Sequence, residues 1–280
     1  MQLTNSEVIP IECERFGIDG GAMFGIIPKN LWQKEHPADE ANRVALRTSV
    51  LLIKTAERNI LIDTGIGNKL DNKLRQRFRV DENSDGIIKG LERAGLQPGD
   101  ITDVILTHLH FDHTGGSTYQ DNGELRITFA NAVHYVQAEH WDYACQSSIK
   151  DRASFLMENF KILEDQNKLK KLDGIVQLFP GIEIFIAHGH TRAMQLVRIT
   201  DGDTTIVHGA DLIPTASHIP ITWNMAYDNQ PLLTIEEKSK LLQQISENKW
   251  ILFFEHDPKY FAGTVNSNEK GFKLDREIRL

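Results

Sequence analysis

Val104-Ile-Leu-Thr-His108-Leu-His110-Phe-Asp112-His113-Thr-Gly115-Gly116 runs from a short apolar segment straight into four potential metal ligands within six residues. An apolar strand end followed by a tight glycine-bearing loop points imidazoles and a carboxylate into one concavity, where they suit zinc, iron or manganese. The chain carries 11 histidines in 280 residues, and at that frequency a His-x-His-x-Asp-His string arises by chance in roughly one such sequence per thousand. Four ligands of this kind exceed what one catalytic zinc with an open position needs. Two ions are the natural inference, and further ligands are required from elsewhere in the chain.

Three other segments have the same form, a strand-like apolar run followed by polar ligands. They are Ile184-Phe-Ile-Ala-His188-Gly-His190, Thr205-Ile-Val-His208-Gly-Ala-Asp211 and Ile251-Leu-Phe-Phe-Glu255-His256-Asp257. Working outward, Val44 to Ile53, Asn59 to Ile62, Ile101 to Leu106, Ile182 to Ala187, Met194 to Ile199, Thr204 to Val207 and Trp250 to Phe254 read as strands. Ile87, Ile88, Leu91 and Ala94 share a helical face that stops at Gly95, and a further helix is expected over Lys150 to Asn167. Thr234-x-x-Glu237 reads as a capping box opening a helix that carries Leu241, Leu242 and Ile245. Helices and strands interleave without a regular one-to-one repeat, which predicts a layered α/β sandwich. The Ile101 and Trp250 strands each follow a helix and lead into a His/Asp-rich loop, a hint of two similar halves.

Composition bounds the rest. With 31 Lys+Arg against 39 Asp+Glu the net charge is -8, which excludes a simple basic nucleic-acid binder. No linker or low-complexity tract divides the chain, so residues 1–280 are expected to form one domain. No run of apolar residues is long enough for a membrane helix, and no secretory signal is read at the start. Cys13 and Cys145 lack metal-pair spacing and read as buried thiols of a reducing compartment. The expectation is a cytoplasmic protein with neither a nucleic-acid nor a membrane partner.

The ordered set Asp63-Thr-Gly65, His108-x-His110-x-Asp112-His113, Gly189-His190-Thr191, Gly209-Ala-Asp211 and His256 resembles the five motifs of the metallo-β-lactamase superfamily and covers nearly the whole chain. The resemblance implies a four-layer αβ/βα sandwich with its metals at the edge where strand ends meet. It implies His108, His110 and His190 as ligands of one ion, Asp112, His113 and His256 as ligands of the second, and Asp211 as the bridge. Two divalent cations follow, zinc foremost, with iron or manganese as alternatives. Outside the metal motifs, Asp19-Gly-Gly-Ala-Met23-Phe24-Gly-Ile-Ile-Pro-Lys-Asn-Leu-Trp32, together with Leu61 to Gly67 and Ala210 to Thr215, is similar to the YtnP-like quorum-quenching lactonase subgroup and, more distantly, to methyl parathion hydrolases.

That likeness implies hydrolysis of a small-molecule lactone, with an acyl-homoserine lactone as one candidate, by attack of a hydroxide shared between the two metals. Asp112 would hand a proton to the leaving alkoxide. The alternative keeps the site and changes the substrate to an aryl ester or phosphotriester. It is favoured by Pro214, which stands where homoserine-lactone hydrolases often carry a tyrosine. A homodimer also follows from the resemblance.

Other residues admit two readings each. Asp63 is either a turn aspartate bonded to its own backbone or a group orienting a ligand histidine. Met23, Phe24 and Trp223, with Trp32 and Met225, either line an apolar substrate pocket or belong to the core or a dimer contact. His188 is read as a supporting or surface histidine rather than a ligand, and His36, His134, His140, His208 and His218 as structural.

Overall fold

In the computed structural model, which describes residues 1–280, β1 (Ser6–Asp19), β2 (Arg43–Thr55) and β3 (Asn59–Ile62) form an antiparallel meander. Next come β4 (Asp103–Ile105), a separate hairpin of β5 (Thr118–Asp121) and β6 (Glu124–Ile127), then β7 (Val133–Gln137) and β8 (Leu169–Leu172). Strands β4, β7 and β8 extend the meander in parallel, so the first sheet has the order β1-β2-β3-β4-β7-β8. The second sheet is built from β9 (Val176–Phe179), β10 (Ile182–Ala187), β11 (Met194–Asp201), β12 (Thr204–His208), β13 (Ile251–Phe253), β14 (Ala262–Asn268) and β15 (Gly271–Ile278). It is antiparallel except where β12 meets β13. The helices are α1 (Gly20–Phe24), α2 (Lys29–Trp32), α3 (Asn72–Arg77), α4 (Gly86–Arg93), α5 (Phe111–Thr114), α6 (Ala138–Cys145), α7 (Lys161–Asp165) and α8 (Pro231–Asn248).

Side-chain alternation along the strands sorts these elements into four layers. On β2, Leu51 and Ile53 point into the space between the sheets, where they meet Val197 and Ile199 of β11, Ile206 of β12 and Phe253 of β13. Val50 and Leu52, one residue out of phase, pack on the outer face with Ile87 and Leu91 of α4 and Trp141 of α6. The outer face of the second sheet is covered by Leu241, Leu242 and Ile245 of α8, against Leu196, Val207 and Leu252. Each such side chain contributes roughly 1.5–3 kcal/mol on burial. The layers run helix, sheet, sheet, helix, the αβ/βα sandwich expected from the sequence.

Local differences have physical causes. The long β1 is absent from the apolar runs because its buried Val8, Ile11, Cys13 and Phe16 alternate with polar groups, and a register shift between Glu12 and Arg15 breaks the period. The helix expected over Lys150 to Asn167 is three short pieces, Arg152–Ser154, Met157–Asn159 and α7, since Phe155 and Phe160 turn inward at a spacing no single helix holds. The helix with Leu241 starts at Pro231, one turn before Thr234, because Pro is preorganised for a first helical position. Glu237 is therefore free of any capping box, and its carboxylate binds a loop of the metal site. Cys13 is buried as expected, but Cys145, at the end of α6, is exposed. No helix is long and apolar enough to cross a membrane.

Two buried histidines outside the candidate ligand groups couple the fold to pH. Burial pushes His134 down to about 4, and burial likewise pushes His218 down to about 3, while its ring bonds Thr215 Oγ1 at 2.7 Å and the Met23 carbonyl at 3.0 Å. Both are neutral when folded, whereas an unfolded chain protonates them near pH 6.5. Below that value the unfolded state binds more protons, so stability falls as pH drops from about 6.5 towards 4, by up to about 1.4 kcal/mol per ring per pH unit. Thermal melts of metal-stripped protein at pH 7.5 and 5.0 are expected to show a lower Tm in acid. The drop is expected to shrink in His134→Gln, and an unchanged drop in that variant would contradict neutral burial of this ring.

Candidate metal centre

The strands β3, β4, β10, β12 and β13 all finish on one edge of the sandwich, and each leads within three residues to a polar side chain of the site. After β4 the chain passes His108 and His110 and then turns into α5, which carries Asp112 and His113. His190 follows β10, Asp211 sits in a single 3₁₀ turn after β12, and His256 follows β13. Residues up to 143 positions apart are thereby brought into hydrogen-bond range, as His256 Nε2 and His113 Nε2 show at 3.2 Å.

Two groups form around one carboxylate. His108 Nε2 and His190 Nε2 lie 3.0 and 3.2 Å from His110 Nδ1, and Asp211 Oδ2 is 3.2 Å from His190 Nε2 and 3.9 Å from His108 Nε2. In the second group His256 Nε2 is 3.8 Å from Asp112 Oδ2, and Asp211 Oδ1 is 3.2 Å from His256 Nε2 and 3.7 Å from His113 Nε2. Asp211 thus turns one oxygen to each group. The edges of a tetrahedron with zinc–ligand bonds of about 2.0–2.1 Å are roughly 3.3 Å long, so both groups have the spacing of a coordination shell.

The chemistry of the donors fits a cation as well. Asp211 Oδ1 is buried with no hydrogen bond, a costly condition for a carboxylate unless positive charge is supplied. Burial would raise the Asp211 carboxyl, but the surrounding His256, His190 and His113 hold it well below the usual carboxylate range. Burial, reinforced by the neighbouring imidazoles, keeps His108 and His110 well below the ordinary histidine value, so both present neutral lone pairs. Burial would also discharge His256, yet Asp211 lifts it to about 9, a second sign that this spot demands positive charge.

Buried partners fix each ring from behind. Asp63, held in the left-handed region at φ 61°, turns its carboxylate back to accept from Thr107 N at 2.7 Å, Thr107 Oγ1 at 2.6 Å and His113 Nδ1 at 3.0 Å. This is the orienting arrangement of the two read from the sequence, and it leaves His113 Nε2 facing the site. His190 Nδ1 donates to Asp228 Oδ1 at 3.0 Å, and His256 Nδ1 donates to the Arg47 carbonyl at 3.0 Å. Glu255 is buried, with Oε1 3.1 Å from His113 Nδ1, and burial pushes its carboxyl up to about 8 against the opposing pull of that histidine. The Glu237 carboxylate accepts from His188 N at 2.8 Å and Gly189 N at 2.9 Å, which pins the loop ahead of His190.

Sequence reasoning passed over Asp228 and the Arg47 carbonyl, for which no local pattern exists. Glu255 could have been found from its place beside His256 at a strand end. His188 stands outside both groups, its Nδ1 accepting from Ala193 N at 3.2 Å. His140, read as structural, ties the Leu109 amide at 2.8 Å to the Arg192 carbonyl at 2.6 Å, clamping two ligand loops together.

Above these groups opens a cavity of about 400 Å³ with His110, Asp112, His190, Asp211 and His256 on its floor. Its walls are largely apolar, among them Phe16, Leu74, Phe78, Leu156 and Tyr227. Met23 lines it. Phe24 and Trp223 do not. Phe24 is fully buried and stacks between Trp32, at a centroid distance of 5.3 Å, and His218, at 5.2 Å, while Trp223 meets its edge at 5.8 Å. Both belong to the core that supports the cavity wall.

The metallo-beta-lactamase superfamily profile matches residues 43–256, and the chain belongs to that superfamily. It is a metal-dependent hydrolase with lactonase homologues. The N-acyl homoserine lactonase AiiA of Bacillus thuringiensis subsp. kurstaki is 26% identical over 221 residues, which cover 74% of this chain and 79% of that enzyme. A solved structure described as a probable metal-dependent hydrolase from Staphylococcus aureus superposes with a TM-score of 0.91 at 34% identity, covering 100% of this chain and 99% of that one. AidC, a dizinc quorum-quenching lactonase solved with the product N-hexanoyl-L-homoserine, has a TM-score of 0.80 at 24% identity over 100% of this chain and 97% of its own, a likeness of fold.

Proposed function

We propose that the protein is a dinuclear hydrolase that opens a lactone ring, with an acyl-homoserine lactone as the leading candidate. The observation that carries this reading is Asp211, whose two oxygens each face one histidine group at the floor of an apolar cavity. His108, His110 and His190 would hold one divalent ion, Asp112, His113 and His256 the other, with Asp211 between them. Zinc suits the imidazole-rich set best, with iron or manganese the alternatives. Such ions supply Lewis acidity, polarising the ester carbonyl and making hydroxide available near neutral pH.

The chain's own residues do the rest. Asp63, Asp228 and the Arg47 carbonyl hold three imidazoles in the tautomer that presents Nε2. The walls at Phe16, Leu74, Phe78 and Leu156 exclude water from an acyl chain and orient the ester towards the floor. Asp112 is less buried than the other candidate ligands, with 15% of its side chain exposed, and it borders the cavity. That position suits it to return a proton to the leaving alkoxide. Asp112→Asn is expected to lower kcat at least about a hundredfold. Unchanged turnover with both metals retained would remove Asp112 from this role.

A second reading, hydrolysis of an aryl ester or phosphotriester, is favoured by Pro214. It offers no hydroxyl and uses its carbonyl to accept from His256 N at 3.0 Å. Proton release at constant pH from a long-chain acyl-homoserine lactone, beside initial rates on an aryl ester and a phosphotriester, separates the two. A silent lactone reaction with both metals bound would move the aryl substrates to the front. The protein is expected to act on its ester in the cytoplasm, a compartment that suits two unpaired cysteines.

A further inference from the structure

The segment Lys69-Leu-Asp-Asn-Lys-Leu-Arg-Gln-Arg-Phe-Arg79 holds five cations and one carboxylate in a chain whose net charge is -8. Its members have different fates. Lys69 turns inward and donates to the carbonyls of Gly115 and Thr118, and Arg79 pairs with Asp39 at 3.1 Å. Arg77, at the end of α3, lines the cavity above the metal groups. Its backbone carbonyl accepts from Arg43 Nη1 at 3.3 Å, while its guanidinium takes part in none of the ion pairs of this region.

The other charged groups of the cavity are committed. Lys150 donates to the carbonyls of Tyr227 and Asp228, at 2.8 Å each. Asp151 accepts from Tyr143 Oη and Ser148 Oγ, at 2.8 Å each, and also from Asn229 Nδ2. Asp112 and Asp211 face the histidines of the floor. Arg77 is left as a free cation at the mouth of a pocket whose wall beside it, Leu70, Leu74 and Phe78, is apolar.

We propose that Arg77 reads an oxyanion at the far end of the substrate, so that this site prefers esters or lactones whose apolar body ends in a carboxylate or phosphate. The inference rests on the hydrolase reading of the floor, and it sets an ester or lactone with an anionic tail ahead of the neutral acyl-homoserine lactones. A guanidinium presents paired donors that match a carboxylate or phosphate in bidentate fashion. An apolar wall between that cation and the reacting carbonyl holds a short methylene chain and excludes water, which strengthens the charge pair at the rim. Lys73, one turn before Arg77 on the same helix, adds to the local potential that draws an anion in against the overall negative charge.

Monophenyl adipate and phenyl hexanoate separate the cases, since they differ chiefly in one terminal carboxylate. With metal-loaded wild type at low salt, kcat/KM is expected to be about tenfold higher for the adipate, through KM rather than kcat. Arg77→Gln is expected to erase that advantage while leaving phenyl hexanoate within about twofold, and Arg77→Lys to restore part of it. The phenyl ester of a phosphorylated hydroxyhexanoate, run beside the adipate, tells which oxyanion the arginine favours; a preference for either over the neutral ester supports the assignment. Equal rates on charged and neutral esters by wild type, or an equal loss on both in Arg77→Gln, would overturn the role of Arg77 and leave the hydrolase reading standing. No turnover of any of the three, with both metals bound and a lactone still hydrolysed, would overturn the role of Arg77 alone; silence on the lactone as well would overturn both.

Discussion

Alanine at position 211 is expected to leave the protein folded, to reduce its metal content below two ions per chain and to lower ester hydrolysis at least about a thousandfold. Asp211 is the carboxylate that faces both histidine groups, through different oxygens. Its loss removes one candidate ligand from each group at a stroke, and no other carboxylate reaches His190 Nε2, because Asp228 holds the ring through Nδ1 on its far side. The fold should survive, because Asp211 contributes no hydrogen bond through Oδ1 and the space it vacates adjoins the cavity. Metal content by mass spectrometry, far-UV circular dichroism and initial rates on the same preparation check the three parts. Asp211→Asn keeps the volume and one donor oxygen, and is expected to fall between. Two tightly held ions and an undiminished rate in Asp211→Ala would contradict the bridging geometry.

Gly115→Ala is expected to be the most damaging substitution outside the ligands, costing about 4 kcal/mol or more. The backbone of Asp63 to Gly67 lies directly on Gly115 and Gly116. Gly116 N donates to the Gly65 carbonyl at 3.2 Å, and Thr64 N donates to the His113 carbonyl at 2.8 Å. A Cβ on Gly115 would overlap the Ile66 carbonyl oxygen, and one on Gly116 would overlap the carbonyl oxygen of Thr64. Both obstacles are main chain, so no side-chain rotation relieves them. Moving the strap outward would drag Asp63 away from His113 and Thr107, and the metal site would loosen with the fold. Gly99→Ala is the control: there a Cβ meets Asn131 Nδ2 at an ordinary 3.6 Å. Urea titrations should place Gly99→Ala within about 0.5 kcal/mol of wild type and Gly115→Ala far below it. Equal midpoints would mean that the two loops part more easily than their hydrogen bonds suggest.

What could be read from the chain alone follows the physics of each feature. The His108 to His113 string is visible because four ligands crowd one loop, and His190, Asp211 and His256 are visible because each follows an apolar run. The central strands are legible for the same reason, being buried on both faces and therefore continuous in apolar residues. Strand β1 is hidden because its outer positions are charged and its register shifts midway. Glu237 misleads because a carboxylate three residues after a threonine looks alike whether it caps its own helix or binds the amides of another loop. Asp228 and the Arg47 carbonyl carry no local signal, since their meaning lies in contacts across 38 and 209 residues. Phe24 and Trp223 admit both readings from the sequence, because residue type cannot tell a pocket wall from the layer beneath it.

The candidate ligands come from both halves of the sandwich: His108, His110, Asp112 and His113 follow the first sheet's β4, whereas His190, Asp211 and His256 follow strands of the second. A cation held between them would act like a removable cross-link closing loops of 80 to 143 residues, its grip felt mainly as entropy denied to the unfolded chain. Removing the metal would then do more than silence a reaction. It would turn a tied pair of sheets into two plates held only by the apolar layer between them, with the seam at the strand-end edge the first place to open.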